Sequence, residues 1–438
     1  MVAAVAVYAV VLFYSYVAYL NPTWKYYGLT YREPGGAEIG AMAVLLFLAA
    51  IAMPLEMRTP SSLVVLMLFI VVYIPTVVIT LILDVQRLER YGPSLAALAV
   101  AFVILCRTAS IRRPAERTEG GLPGSLFANI ILASWLMATA VLIFSYGSMM
   151  TFVDFTTDVQ AVYDQRARGT EAGLIMSYLQ TYYSAVMSPT LIALGLARGR
   201  MRWVLLGVFG CVVMYMIAAQ RTVIFTPAVM LATHILLRSN RRSLRGTVGY
   251  VLGISPLIIG SLLIWQTGVA IASLPAVLLV FRSLSLPGLT FSQYYDVFSA
   301  EGFTWWSHVK GIGTLVPAPV NLAAEPMWPA LGFIVGSRIY HNERLNANAN
   351  LFSGDGVAAG GALGVLAIGV AAAVWLVILD SACRGWDRRF AVLVTVPTAL
   401  ALTNAHLFTT LTSFGGLFWL VLFHIYKPKP GGGFTGGR

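Results

Sequence analysis

Long apolar runs alternate with short polar joints along almost the whole chain. The runs lie at approximately 1–20, 37–55, 61–83, 92–106, 125–146, 172–195, 203–219, 222–237, 247–266, 358–380, 390–406 and 409–426. Crossing the hydrocarbon core takes about 20 apolar residues in a helix, so most of these runs are long enough to span; 92–106 and 222–237 are short. No water is available there for a peptide group, so a spanning segment must satisfy its own hydrogen bonds, which predicts helices throughout. Pro54, Pro75, Pro189, Pro227 and Pro256 lie in or beside runs and predict kinks whose freed carbonyls neighbouring helices satisfy. The pattern fails once, over 267–357, where apolar fragments are interrupted by Tyr, Trp, Asn and Pro. The chain therefore divides into nine helices over 1–266, a large loop over 267–357, three helices over 358–426 and a flexible tail, 427–438, ending in GGGFTGGR.

The joints sort by charge. Arg107, Arg112, Arg113 and Arg117 crowd one; Arg198, Arg200 and Arg202 a second; Arg238, Arg241, Arg242 and Arg245 a third; Arg384, Arg388 and Arg389 a fourth. With twelve spans all four fall on one side, together with both termini. That side carries a net +13 and the other −2, which accounts for the formal +11 of the chain. Cytoplasmic joints carry this bias. The expectation is an all-α integral membrane protein of about twelve transmembrane helices, both termini cytoplasmic, with one large extracytoplasmic loop before the last three helices. A composition 58% hydrophobic and 11% charged, with mean hydropathy +0.79, agrees. Sorting also accounts for the basic excess, so a nucleic-acid partner is not expected. Residues 1–20 lack a charged start and a small-residue cleavage site and read as an uncleaved first helix.

Positive-inside sorting does not account for cations on the acidic side. Arg282, Arg338 and Arg344, with His308 and His341, sit in the large loop. Arg221 lies where two runs meet almost without a joint, in AAQRTVIFTP. An Arg at such a boundary can snorkel to lipid headgroups, or its guanidinium fork can bind a phosphate oxygen pair. The second reading makes Arg221, Arg282, Arg338 and Arg344 candidate ligands of an anionic substrate. His308 and His341 are then candidates for the acid–base step, with Asp296, Glu301, Glu325 and Glu343 as other bases. The aromatic residues of the loop suit sugar C–H faces as well as headgroups. No Walker A loop, strand-linked GxGxxG, HExxH, CxxC or DxD-like motif is present, and His234, His406 and His424 are scattered along the runs. Sugar transfer is therefore expected to use neither a nucleotide donor nor an obligatory metal, and no cofactor.

The layout resembles the bacterial oligosaccharide repeat-unit polymerases, the O-antigen and exopolysaccharide (Wzy-type) group, in a pattern nearest the enterobacterial common antigen polymerase. The resemblance rests on the twelve-run layout, the span-joining Arg of AAQRTVIFTPAVML, the early loop Arg of VFRSLSLPG, and GTLVPAPVNLAAEPMWP leading to NANANLFSGDGVAAGGALGVLAIG. Gly does not stand at the offset of the Arg-x10-Gly repeats described in some members. The resemblance implies a fold like that of the membrane-embedded (GT-C-like) polymerases and ligases. It implies a glycosyltransferase that moves a glycan en bloc from undecaprenyl diphosphate onto a second lipid-linked repeat unit, outside the inner membrane. Arg221 and Arg282 are the substrate-binding positions it carries over. Membrane lipids, a chain-length regulator and a flippase are its implied partners. An O-antigen ligase, or a transporter of lipid-linked sugar, remains the alternative.

Overall fold

The computed structural model describes residues 1–83, 87–111, 120–152, 165, 169, 173–239, 246–269 and 273–428. Every apolar run is helical, and the described residues contain no strand beyond an isolated bridge between Gly121 and Trp386. The helices are α1 (Val2–Tyr27), α2 (Gly36–Ala52), α3 (Pro60–Thr80), α4 (Arg87–Ser110), α5 (Ser125–Tyr146), α6 (174–198), α7 (Met201–Ala218), α8 (Arg221–Ser239) and α9 (Gly246–Trp265). They continue as α10 (Ala276–Glu301), α11 (Leu331–Tyr340), α12 (Phe352–Ala382), α13 (Arg388–Leu402), α14 (Leu407–Ser413) and α15 (Gly416–Ile425). Eight described helices are long and apolar enough to cross a membrane; the pair α14–α15, bent by 53°, makes a ninth if it is one broken span. The protein is a helical, multi-pass membrane protein.

The core is centred on α3, whose side chains are almost all buried. Thr59 starts it with a reciprocal capping box to Ser62, and Pro60 stands at the first turn, where its missing N–H is not needed. Gly369 of α12 brings α12 onto Ala101 of α4; a Cβ at Gly369 would lie 2.4 Å from that methyl.

Among the described residues, the hydrogen bonds and ion pairs between joints fall into two groups. At one end Asp380 accepts from Ser61 N (3.1 Å) and Ser61 Oγ (2.5 Å). Gly121 N donates to Gly385 O, Trp386 Nε1 to Tyr426 O, and Lys427 Nζ to Ala382 O. Arg388 donates to Met57 O and Arg198 to Pro123 O. This is the cationic end. At the other end lie the joint after α1, the start of α4, the stretch 302–351 and the joint 403–406.

Helix α10 differs from the sequence reading, which left 267–357 as a loop with a half-apolar opening. Ala276–Glu301 is one helical element, mostly buried. Its ring and ion-pair contacts lie at the end of the bundle that carries the second group of joints. Phe281 stacks on Trp24 with centroids 3.8 Å apart, and Asp296 pairs with Arg90 (2.8 Å) and Tyr91 (2.9 Å). Gly288 lies against Pro75 and Ile79, in the last turn and a half of α3, and its carbonyl accepts from Thr80 Oγ1. The helix therefore packs across one end of the bundle. Arg282 breaks its apolar run without breaking its backbone.

Candidate active site

Among the described residues, five helices contain a widened π turn: 16–20, 69–73, 183–187, 276–285 and 352–357. Four of them are followed, two residues past the last π residue, by a proline: Pro22, Pro75, Pro189 and Pro287. Proline lacks the N–H and its ring presses on the carbonyl one turn back, and a widened turn relieves both. The fifth, Phe352–Val357, has no such proline. It is followed by a true break, in which Gly361 adopts φ +56°, ψ −130°, a conformation for glycine. A Cβ on Gly364 would lie 2.1 Å from Gly356 O, so the broken turn folds directly onto the helix it begins.

A break exposes backbone groups that need partners. Here the stretch after α10 supplies them: Thr304 N donates to Ala358 O and Trp305 N to Ala359 O, both at 2.9 Å. Trp305 and Trp306 hold left-handed φ of +47° and +61°, uncommon for bulky residues and strained. This docking carries His308 onto Asp355 of the π turn. His308 Nε2 lies 3.1 Å from Asp355 Oδ1, and His308 Nδ1 lies 2.9 Å from Thr304 Oγ1. Asp355 Oδ2 accepts from Leu407 N (2.6 Å) and Phe408 N (3.3 Å), capping α14 from outside the helix. His406 closes the group, its Nδ1 3.7 Å from Asp355 Oδ1, which is beyond hydrogen-bond range. The His308 and Asp355 side chains are 3% and 0% exposed, and that of His406 is 21%. Burial pushes His406 below the usual imidazole value, with Asp355 opposing and His308 adding to the shift.

His406, one of three histidines that read as scattered, is thus gathered with His308 and with Asp355, which the sequence reading did not single out. The ligand atoms of the three lie within 4.8 Å of one another. His341 does not join them. It is exposed and ends α11 in a left-handed cap, φ +51°. Both ring nitrogens of His308 already have partners, so it cannot meet a substrate hydroxyl without giving one up.

The described arginine side chains do not join the cluster either. Arg338 is held by Glu301 (2.8 Å) and Glu325 (2.9 Å), which neutralise it. Arg344 is exposed past the end of α11. Arg221 begins α8 after a two-residue joint, Ala219–Gln220, as tight as its sequence implied, and its side chain lies outside the described residues. The 147–171 joint's Asp154, Asp158, Asp164, Arg166 and Arg168 lie outside them too, as do Arg112, Arg113, Arg117, Arg241, Arg242 and Arg245.

Arg282 is exposed on α10. Three and four residues before it, Leu279 and Leu278 enter the wall of an open apolar cavity of about 550 Å³. Pro256, Leu257, Gly260, Ser261 and Ile264 of α9, Phe225 of α8, and Leu274 and Pro275 just before α10 form the rest. Phe225 lies one turn beyond Arg221, so the walls of the cavity on two helices each lead to an arginine position.

No protein-family model, curated protein or solved structure matches the chain.

Proposed function

We propose that the protein is a membrane glycosyltransferase of the repeat-unit polymerase kind. It transfers a glycan from a polyprenyl diphosphate onto the sugar of a second lipid-linked repeat unit, at the extracytoplasmic face of a bacterial inner membrane. The observation that carries the reading is the apolar cavity between α8, α9 and the start of α10, with Arg282 three residues past its wall. A cavity of that size holds part of an isoprenoid tail. A guanidinium one turn beyond suits the diphosphate. In the transfer the acceptor oxygen forms the new bond to the anomeric carbon and the bond to the diphosphate oxygen breaks. Arg282, with Arg221 leading from the other wall, stabilises the charge that collects on the leaving group. His341, exposed on the same side, is the imidazole available for the acceptor proton. The aromatic contacts of Trp24 and Tyr27 with Phe281, and of Tyr27 with Tyr340, fix α10 and α11 against α1 and hold this side rigid.

The charge distribution supports an outward-facing site. The joints that pair with each other at one end are those rich in Arg, and cytoplasmic joints carry that bias. Asp355 and Asp380 are 25 residues apart on α12. The turn that holds Asp355 folds back on its own helix, with Gly356 against Val365 and Phe352 against Gly369, so Asp355 lies level with Val365, about 22 Å from Asp380 along the axis, against a hydrocarbon core of about 30 Å. Asp355 then stands inside the far boundary, in the half of the bundle away from Asp380.

A second reading, passage of a substrate through the bundle, has one observation in its favour: Asp355 is a fully buried carboxylate on a discontinuous helix, as in ion-coupled transporters. The exposed cation at Arg282 beside the apolar cavity favours transfer chemistry instead. A ligase would use the same donor site with another acceptor.

Cells expressing Arg282→Ala are expected to insert normal amounts of protein while the surface glycan ladder collapses to single repeat units. Full-length ladders in that strain reject the assignment. In a deletion strain, retained single repeats indicate a polymerase, full-length chains left on the carrier a ligase, and repeat units trapped inside a transporter.

A further inference from the structure

We infer that His308, Asp355 and His406 form a binding site for one divalent transition-metal ion of the zinc class. The inference goes beyond the glycan-transfer reading and rests on the cluster alone. Two imidazoles and one carboxylate are a donor set that zinc takes with bonds of about 2.0–2.1 Å. In a tetrahedral site such bonds set ligand atoms about 3.3 Å apart. The separations from Asp355 Oδ1, 3.1 Å to His308 Nε2 and 3.7 Å to His406 Nδ1, bracket that value. The longer one is too far for a hydrogen bond and right for two ligands of a common ion.

The surrounding contacts are those a metal site needs. Ligating histidines are oriented through their second ring nitrogen. His308 Nδ1 has Thr304 Oγ1 at 2.9 Å, and Thr304 is itself fixed by its backbone bond to Ala358 O. The second carboxylate oxygen of Asp355 is held by Leu407 N and Phe408 N. No Lys or Arg pairs with Asp355 among the described residues, so its buried charge lacks a full cationic partner, which a divalent ion supplies. Gly354 gives independent support. A Cβ there would lie 2.2 Å from the His406 ring, so glycine is what lets the ring reach the carboxylate. The three ligands come from three separate elements: the stretch after α10, the π turn of α12 and the joint before α14. The ion therefore ties the broken helix to both of its neighbours. Solvent reaches the group along the partly exposed His406 ring, which leaves the fourth position for water or an anionic oxygen.

The test uses the full-length protein purified in detergent without chelator, with metals counted by mass spectrometry. The expected result is close to one zinc-class ion per chain, lost to a strong chelator with a lowered melting temperature. Cobalt(II) added to the stripped protein should give the visible d–d absorption of a tetrahedral site, which zinc abolishes. Asp355→Asn and His406→Gln should remove the absorption. Thr304→Val, which keeps the shape of the ligands, should weaken cobalt affinity by about 10–100-fold. Arg282→Ala should retain the ion even if it loses glycan transfer, so failure of one proposal is separable from failure of the other. Wild-type protein that holds only trace metal and gives no saturable cobalt spectrum overturns the inference and leaves the cluster a hydrogen-bonded one.

Discussion

The two ends of the helical bundle both tie polar groups to backbone, but they do it with different economy. At the cationic end the contacts are the ordinary completions of helix termini. Lys427 donates to Ala382 O and Phe423 O, carbonyls left over near the ends of α12 and α15. Asp387 caps Phe390 N at the start of α13, and Asp380 takes Ser61 at the start of α3. At the other end a helix is broken without a proline, two consecutive tryptophans hold left-handed backbone, and a carboxylate is wholly buried. The first end is what a membrane bundle needs to close. The second carries strain and buried charge that closing alone does not require, and such features cluster at functional sites.

The largest expected effect separates the ends through two aspartates on one helix. Asp355→Ala leaves Leu407 N, Phe408 N and His308 without their acceptor in a buried setting, at a cost of about 3–5 kcal/mol. Asp380→Ala removes an acceptor at a half-buried helix start and should cost about 1–2 kcal/mol. Thermal unfolding of both variants in one detergent measures the gap. Equal shifts would mean that the two ends are built alike and that the break is mere packing.

A smaller effect sharpens the comparison within the second end. Gly354→Ala places a methyl against the His406 ring and should destabilise by about 1–3 kcal/mol. Removing the ring in His406→Ala should relieve that clash, so the double variant is expected to lose less than the sum of the single losses. Strict additivity would show that the glycine serves the π turn and not the approach of the imidazole.

The alternation of runs and joints was legible because each span must satisfy its own backbone and the joints of one end carry an excess of Arg. Pro75 and Pro189, marked as kinks, sit beside widened turns for a local reason. The cluster was not legible, because its members stand 47 and 51 residues apart in sequence. Asp355 lies in a polar run, LFSGDG, that reads as loop, and His406 at the end of an apolar run that reads as span. What joins them is a pairing of loop N–H groups with carbonyls freed at Gly360–Gly361, a tertiary event with no periodic trace. The paired glycines after an isolated acid were the one available signal. Arg282 was legible as an exception to sorting, whereas the neutralisation of Arg338 depends on Glu301 and Glu325 arriving from other elements.

Arg338 supplies the smallest effect and the most selective one. Sequence places Arg282 and Arg338 on equal terms, as loop cations on the acidic side. In the fold Arg338 has its Nε on Glu301 and an Nη on Glu325 and is over a third exposed. Exposed ion pairs contribute about 0.2–1 kcal/mol each and are screened by salt. Arg338→Ala should therefore shift unfolding by no more than about 1 kcal/mol, less in high salt, and leave the length distribution of the glycan near normal. Arg282, without a carboxylate partner among the described residues, keeps its charge for a ligand, and its replacement should shorten the glycan with little change in stability. Measuring stability and ladder length together for the two variants yields a crossed pattern if the assignment holds. If Arg338→Ala shortens the glycan as severely as Arg282→Ala does, then the Glu301–Arg338–Glu325 bridge opens in the working state, and the diphosphate site extends from α10 to α11.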